Sequence, residues 1–265
     1  MITLRVPQST YYFFTHSSIK FHRNINPRTL CSFANSVEQN GVSNSALSNL
    51  PSTSVSKVSP VSGLEDVMMG YNFGKKKATE VAHSVWRHVI QKGGILVDAT
   101  CGNGYDTLAM VKMVAGKPPK GRVYAMDIQK AALENTLSLL DESLNPDEKE
   151  LVELFSICHS KMEDVVPKGV SVRLVAFNLG YLPGGDKAII TRSETTRLAL
   201  EAAKRILAPG GLISMVVYVG HPGGREEFET VEAFASGLPV EDWICCKHQM
   251  QDRPLAPILF FLFKT

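Results

Sequence analysis

Three short stretches of this 265-residue chain combine residue types at spacings that can do chemistry. The first is Asp98-Ala99-Thr100-Cys101-Gly102-Asn103-Gly104-Tyr105, which follows the apolar run Ile95-Leu96-Val97 and leads into Asp106-Thr107-Leu108-Ala109-Met110. A strand that stops at an acid, turns through two glycines and starts a helix lets backbone approach a bound cofactor with no Cβ in the way. The helix that follows offers its free N–H groups. The second stretch, Val123-Tyr124-Ala125-Met126-Asp127, ends in a carboxylate able to take both hydroxyls of a ribose, at the spacing one βαβ unit needs. The third is Leu174-Val175-Ala176-Phe177-Asn178-Leu179-Gly180-Tyr181, an amide at a strand end with an aromatic ring three residues later.

Details of the loop select among nucleotide-type cofactors. Gly102-Asn103-Gly104 followed by Tyr105-Asp106-Thr107 lacks the third glycine of a dinucleotide fingerprint, and no Lys-Ser/Thr follows to make a P-loop. An acid, Gly-x-Gly and a second acid one strand later is the arrangement of S-adenosylmethionine methyltransferases, whose cofactor carries an ammonium, a carboxylate and a ribose but no phosphate. Asp98, Thr100, Cys101, Gly102, Asn103, Gly104, Asp106 and Thr107 are therefore expected at the cofactor, with Asp98 and Asp106 toward its cationic amino-acid part. Asp127, with Ile128 and Gln129 beside it, is expected at the ribose, and Asn178 and Gly180 where the sheet opens toward the cofactor. The competing reading is an ordinary turn followed by a surface acid.

Asn178-x-x-Tyr181 matches the spacing of methyltransferases that act on exocyclic or amino nitrogens. There the asparagine side-chain oxygen and the next backbone carbonyl accept hydrogen bonds from the attacking amine, and the ring stacks on the substrate. Methyl transfer from a sulfonium is an in-line displacement, so aligning a neutral amine lone pair is most of the task. Asn178 and Tyr181 are the expected catalytic residues, the alternative being a strand-ending turn with a packing tyrosine. Pro183, Gly184 and Lys187 follow on the same loop and are expected at the substrate. Thr191 and Arg192 can reach it as well, whereas Ser193, Glu194, Thr195 and Thr196 read as caps of the next helix. His221, ahead of Gly223, Gly224 and Arg225, is a candidate for proton acceptance or phosphate contact, or a loop histidine satisfied locally.

These residues need a scaffold that brings strand ends together, and the hydrophobic pattern supplies one. Helical spacing is predicted over Leu64–Gln91, with Gly93-Gly94 as its stop, and over Thr107–Val114, Gln129–Leu144, Ser193–Leu207 and Arg225–Ala235. Strands are predicted at Ile95–Asp98, Arg122–Asp127, Leu151–Ile157, Val172–Phe177, Leu212–Val219, Trp243–Met250 and Ile258–Phe263. Such alternation means a Rossmann-like α/β fold, a mostly parallel sheet covered on both faces with ligands at the carboxyl ends of its strands. The last two strands lack a helix between them and should form an antiparallel hairpin.

Composition narrows the setting. An apolar content of 44% suits one globular α/β domain, and a net charge of +2 permits a nucleic-acid substrate without requiring one. Five cysteines with no CxxC or Cys/His ligand spacing argue against a disulfide framework and against structural zinc, and no metal is expected. Residues 1–60 are serine-rich and basic, with Glu38 the only acid, which reads as a transit peptide, chloroplast before mitochondrion. No apolar stretch there reaches a membrane span, so no membrane partner is expected. The catalytic domain is then expected over 61–265.

Asp98-Ala99-Thr100-Cys101-Gly102-Asn103-Gly104-Tyr105-Asp106-Thr107, the block Asn178-Leu179-Gly180-Tyr181-Leu182-Pro183-Gly184-Gly185-Asp186-Lys187, Glu194-Thr195-Thr196 and Gly220-His221-Pro222-Gly223-Gly224 together resemble the bacterial family called "putative rRNA methylases", now associated with MnmM. The resemblance runs in order from about Thr79 to Lys264. It implies a seven-stranded class I methyltransferase, S-adenosylmethionine as donor, and methylation of the aminomethyl group of 5-aminomethyl-2-thiouridine at the tRNA wobble position. A tRNA anticodon loop as partner and a homodimer are implied with it. So is a pocket-lining place for His83, which resembles a Ser-His position of the family. Where the family has acid-Ser-His near the adenine, this chain has Cys158-His159-Ser160-Lys161, so that His159 and Ser160 stand there instead. For tRNA phosphates the chain offers Lys187, Arg192, Arg225 and Arg253. Two alternatives stay open: a ribosomal-RNA or small-molecule N-methyltransferase, and a non-catalytic RNA-binding protein of methyltransferase fold.

Overall fold

The structure, a computed structural model, describes residues 4–5, 63–90, 93–116 and 120–265. Apart from Leu4 and Arg5, the expected transit segment lies outside the described residues.

The strands are β1 (Leu4–Arg5), β2 (Ile95–Asp98), β3 (Arg122–Asp127), β4 (Val152–Ser156), β5 (Val172–Leu179), β6 (Leu207–Val217), β7 (Trp243–His248) and β8 (Ile258–Lys264). The helices are α1 (Glu65–Asn72), α2 (Ala78–Val89), α3 (Tyr105–Val114), α4 (Lys130–Ser143), α5 (Pro146–Lys149), α6 (Ser193–Ile206) and α7 (Gly224–Ser236), with a 3₁₀ segment at His159–Asp164. Strand order is β1-β4-β3-β2-β5-β6-β8-β7. Every pairing is parallel except those of β8, which runs antiparallel between β6 and β7. Seven strands thus form the expected sheet with its antiparallel C-terminal pair, and the two-residue β1 adds to the β4 edge.

Strands buried on both faces send alternate residues to two cores. Leu96, Ala125, Leu174, Ala176 and Phe261 join the core under α2, α3 and α4. Val97, Met126, Val175, Phe177 and Phe260 join the opposite one with α6 and α7. Sequential order runs β2, β3, β4 to one side and β5, β6 to the other, so β2 and β5 flank the switch point where ligands bind in open α/β sheets. Asp98, Asp127 and Asn178 lie at the carboxyl ends of the adjacent parallel strands β2, β3 and β5 and converge there.

Two expectations change. Leu64–Gln91 is two helices rather than one: Gly74 takes φ +69°, and the Arg253 guanidinium occupies the space 3.1 Å from where a Cβ would stand. A left-handed residue ends a helix, whatever the apolar spacing beyond it. β6 starts at Leu207, five residues before the expected Leu212, because Leu207 pairs Val172 across a register shift that accommodates Pro209-Gly210-Gly211.

Candidate active site

At the switch point lies a cavity of about 860 Å³, within the roughly 300–1,000 Å³ common for small-molecule sites. The β2–α3 loop forms its floor. Gly104, the N-cap of α3, has φ +86°, and a Cβ there would stand 2.9 Å from the Thr136 Cα. Only glycine allows α4 so close. The Thr136 hydroxyl donates to the Gly102 carbonyl at 2.9 Å, and Asn135 Nδ2 donates to Asn103 Oδ1 at 2.8 Å, so α4 holds the loop in shape.

Asp127 accepts hydrogen bonds from the backbone N–H groups of Gly102 at 3.1 Å and Gln129 at 2.9 Å. Burial raises its pKa against the pull of those donors. Asp98 lies beneath the loop with 1% of its surface exposed and accepts from Thr107 Oγ1 at 2.6 Å and from the Thr100 N–H at 3.2 Å. Burial first, then the nearby Asp106 carboxylate, raises its pKa to about 7. Asp106 faces the cavity from the first turn of α3, so this end of the site favours a cation. Cys101 is a buried thiol whose pKa desolvation pushes well up, which suits a packing role.

Opposite the loop, Asn178 closes β5. Its backbone N–H donates to Thr100 Oγ1 at 2.7 Å, and its side-chain Nδ2 donates to Asp106 Oδ2 at 3.3 Å. The Leu179 carbonyl accepts the Tyr218 N–H at 3.3 Å and keeps a second lone pair. Tyr181 is 40% exposed, with the Lys187 ammonium 5.7 Å over its ring and His221 edge-on at 6.0 Å.

Of the expected cofactor residues, Thr100, Cys101, Gly102, Asn103, Asp106, Asp127, Ile128, Gln129, His159, Asn178 and Gly180 line the cavity. Asp98, Gly104 and Thr107 lie behind the loop and shape it. Ser160 also stands off the cavity, its hydroxyl donating to Cys158 Sγ at 3.2 Å. Burial lowers the His159 pKa to about 4, so its ring is a neutral wall beside Phe177. Of the expected substrate residues, His83, Tyr181, Pro183 and Thr191 line the cavity, while Gly184, Lys187, Arg192, His221, Gly223, Arg225 and Arg253 do not. Arg225 pairs with Glu229 on its own helix at 3.1 Å, and Gly223 is the N-cap of α7.

The expected capping by Ser193 and Thr196 does not form. Arg192 is the N-cap of α6, without a side-chain cap bond, while Ser193 Oγ reaches Glu226 at 3.1 Å and Thr196 Oγ1 donates to Glu227 at 2.6 Å. For Thr196 the buried Glu227 carboxylate out-competes the helix end, because it has no water to satisfy it, whereas Ser193 turns to the exposed Glu226 on the neighbouring helix. Tyr218 and Leu182 also line the cavity and Glu227 holds Thr191 at its wall, three places not expected from the sequence. Leu182 stands inside the Asn178–Lys187 block and Tyr218 at a strand end just before Gly220-His221, whereas nothing local marks Glu227. Among the described residues no group of three or more His, Cys, Asp or Glu is placed to hold a metal ion.

Residues 123–264 match the model of the family described as "Putative rRNA methylase". The chain is 66% identical over 221 residues, 83% of its length and 80% of the relative's, to the chloroplastic tRNA (mnm(5)s(2)U34)-methyltransferase of Arabidopsis thaliana. Among solved structures it resembles the putative rRNA-methylase from Clostridium thermocellum, with 35% identity, a TM-score of 0.66, and coverage of 72% of this chain and 98% of that one. It also resembles SMU.1697c, a putative methyltransferase from Streptococcus mutans in complex with SAH, with 29% identity, a TM-score of 0.62, and coverage of 72% and 99%.

Proposed function

We propose, from the premise that this chain belongs to the "Putative rRNA methylase" family, that it is an S-adenosylmethionine-dependent methyltransferase of the tRNA wobble uridine in the chloroplast. In this reading it methylates the aminomethyl nitrogen of 5-aminomethyl-(2-thio)uridine. The observation that carries the reading is the Asn178 amide, which stands at the end of β5 in the same cavity as the Gly102–Gly104 loop, with the Tyr181 ring at the rim.

The residues present fit the cofactor. The close approach at Gly104 shapes a cradle with backbone exposed, Asp127 suits a ribose diol, and Asp106 with Asp98 behind it suits an ammonium. S-adenosylmethionine supplies, when bound, a methyl group on a sulfonium.

The chain's own residues position and desolvate the amine. Asn178 Oδ1 and the second lone pair of the Leu179 carbonyl accept the two N–H bonds of a neutral primary amine and leave its lone pair free. Tyr181 offers a ring face to a uridine splayed out of the anticodon loop, and Lys187 beside it suits a flanking phosphate. Recognition of the anticodon loop and the homodimer belong to this reading as well.

Methyl transfer from labelled S-adenosylmethionine to tRNA from bacteria lacking this wobble methylation, followed by nucleoside mass analysis, is the test. A methylaminomethyl-thiouridine peak lost on Asn178→Ala is the expected result. Cofactor binding with methylation of ribosomal RNA instead would replace the tRNA substrate. Binding with no transfer to any acceptor would favour a non-catalytic role.

A further inference from the structure

Three elements meet through one carboxylate. Asp106, in the first turn of α3, takes the Nε2 of His83 from α2 on Oδ1 at 2.6 Å and the Nδ2 of Asn178 from β5 on Oδ2 at 3.3 Å. Both His83 and Asp106 are largely covered, with side chains 19% and 12% exposed, and the His83 ring lies against Trp86 with centroids 4.7 Å apart.

An ionised carboxylate has only acceptor atoms, so both neighbours must donate to it. His83 therefore presents an N–H at Nε2, and Asn178 turns its amino group toward Asp106. An amide is planar, with its oxygen opposed to its nitrogen, and the Asn178 backbone is pinned to Thr100 Oγ1 at 2.7 Å. Anchoring Nδ2 leaves Oδ1 for a ligand in the cavity. A flipped amide would face an incoming amine with N–H against N–H.

We infer that Asp106, itself held by His83, is the positioning residue that sets the Asn178 amide oxygen-outward and so makes the site select an acceptor bearing N–H groups. The inference rests on the methyl-transfer reading above. His83 acts at one remove, as an N–H donor to Asp106.

The test compares His83→Ala, His83→Gln and Asp106→Asn in the full-length protein on aminomethyl tRNA. Measured for each are kcat, KM and S-adenosylmethionine affinity by calorimetry, between about pH 6.5 and 9.5. Loss of one buried charge-assisted hydrogen bond predicts a fall of roughly 10- to 100-fold in kcat for His83→Ala, with little change in KM for tRNA or in cofactor affinity. The deficit should be the same at every pH for a group that only donates a hydrogen bond. The His83→Gln variant keeps an amide N–H to give to Asp106 and should recover most of the loss. Asp106→Asn should lower kcat with at least as large an effect, since one amide oxygen cannot serve both donors fully, and should weaken S-adenosylmethionine binding too, since it removes a charge facing the cofactor's ammonium.

Three results overturn the inference: a His83→Ala deficit that vanishes as pH rises, with His83→Gln no better than His83→Ala, which would mark His83 as a proton acceptor; a loss of cofactor affinity in step with activity in His83→Ala; or unchanged kcat in every variant. Retained cofactor affinity in the His83 variants also shows that they are folded. A wild-type protein inactive on aminomethyl tRNA but active on another amine would remove the substrate reading alone, because the same comparison on that acceptor still decides the role of His83 and Asp106.

Discussion

Thr196 and Glu227 join helices α6 and α7 through a 2.6 Å hydrogen bond, with both side chains fully buried. Thr191, on the loop that carries Tyr181, donates to the other carboxylate oxygen of Glu227 at 2.7 Å. One buried acid therefore ties the cavity wall to the helical layer behind it.

The Glu227 carboxyl titrates above its usual 4.5, raised by burial despite the two hydroxyl donors and nearby His221. The native state thus holds the proton more tightly than the unfolded chain, and Glu227 costs stability as pH rises from 4.5 through the raised value. Glu227→Gln lacks that cost, so urea unfolding followed upward from about pH 4.5 should show the variant gaining stability relative to wild type until the Glu227 carboxyl has ionised. Glu227→Ala, which strands two threonine hydroxyls, should lose roughly 2–4 kcal/mol.

Gly104→Ala puts a Cβ into a backbone region that L residues avoid and 2.9 Å from the Thr136 Cα. The expected cost is about 1–3 kcal/mol together with a clear loss of S-adenosylmethionine affinity, measured by thermal unfolding and calorimetry. Gly63→Ala, also at positive φ but with open space around it, is the control that should leave cofactor affinity alone.

Asp127→Asn keeps an acceptor for the Gly102 N–H but removes the charge. Cofactor affinity should fall roughly 10- to 100-fold while tRNA affinity holds. Because burial raises the Asp127 pKa, wild-type affinity for the cofactor should weaken as pH falls through a value above 3.8, and the Asn variant should lack that dependence. Equal acid sensitivity in both proteins would assign it to another group.

Lys187→Ala and Arg253→Ala remove cations from the cavity mouth and from the turn at Gly74. Each should weaken tRNA binding and lower the slope of log affinity against log salt by about one, with no effect on cofactor binding. Unchanged slopes would take phosphate contact away from these two residues.

Much of this protein was legible in the chain itself. Strand and helix spacing over 95–127 marks a βαβ unit whose acid-turn-glycine loop and second acid are local features, so β2 and β3 have the expected bounds. The C-terminal hairpin follows in the same way from two apolar runs joined without a helix. Tertiary structure alone decided which polar groups meet. His83 reaches Asp106 across 23 positions, Glu227 reaches Thr196 across 31, and Asp106 reaches Asn178 across 72. Periodicity reports which face of an element is buried, but the register and twist of packed elements determine which side chain it meets there. That is why Ser193 and Thr196 read as caps in the chain yet serve α7 in the fold, and why Asp98, which reads as a ligand, lies beneath the loop it supports.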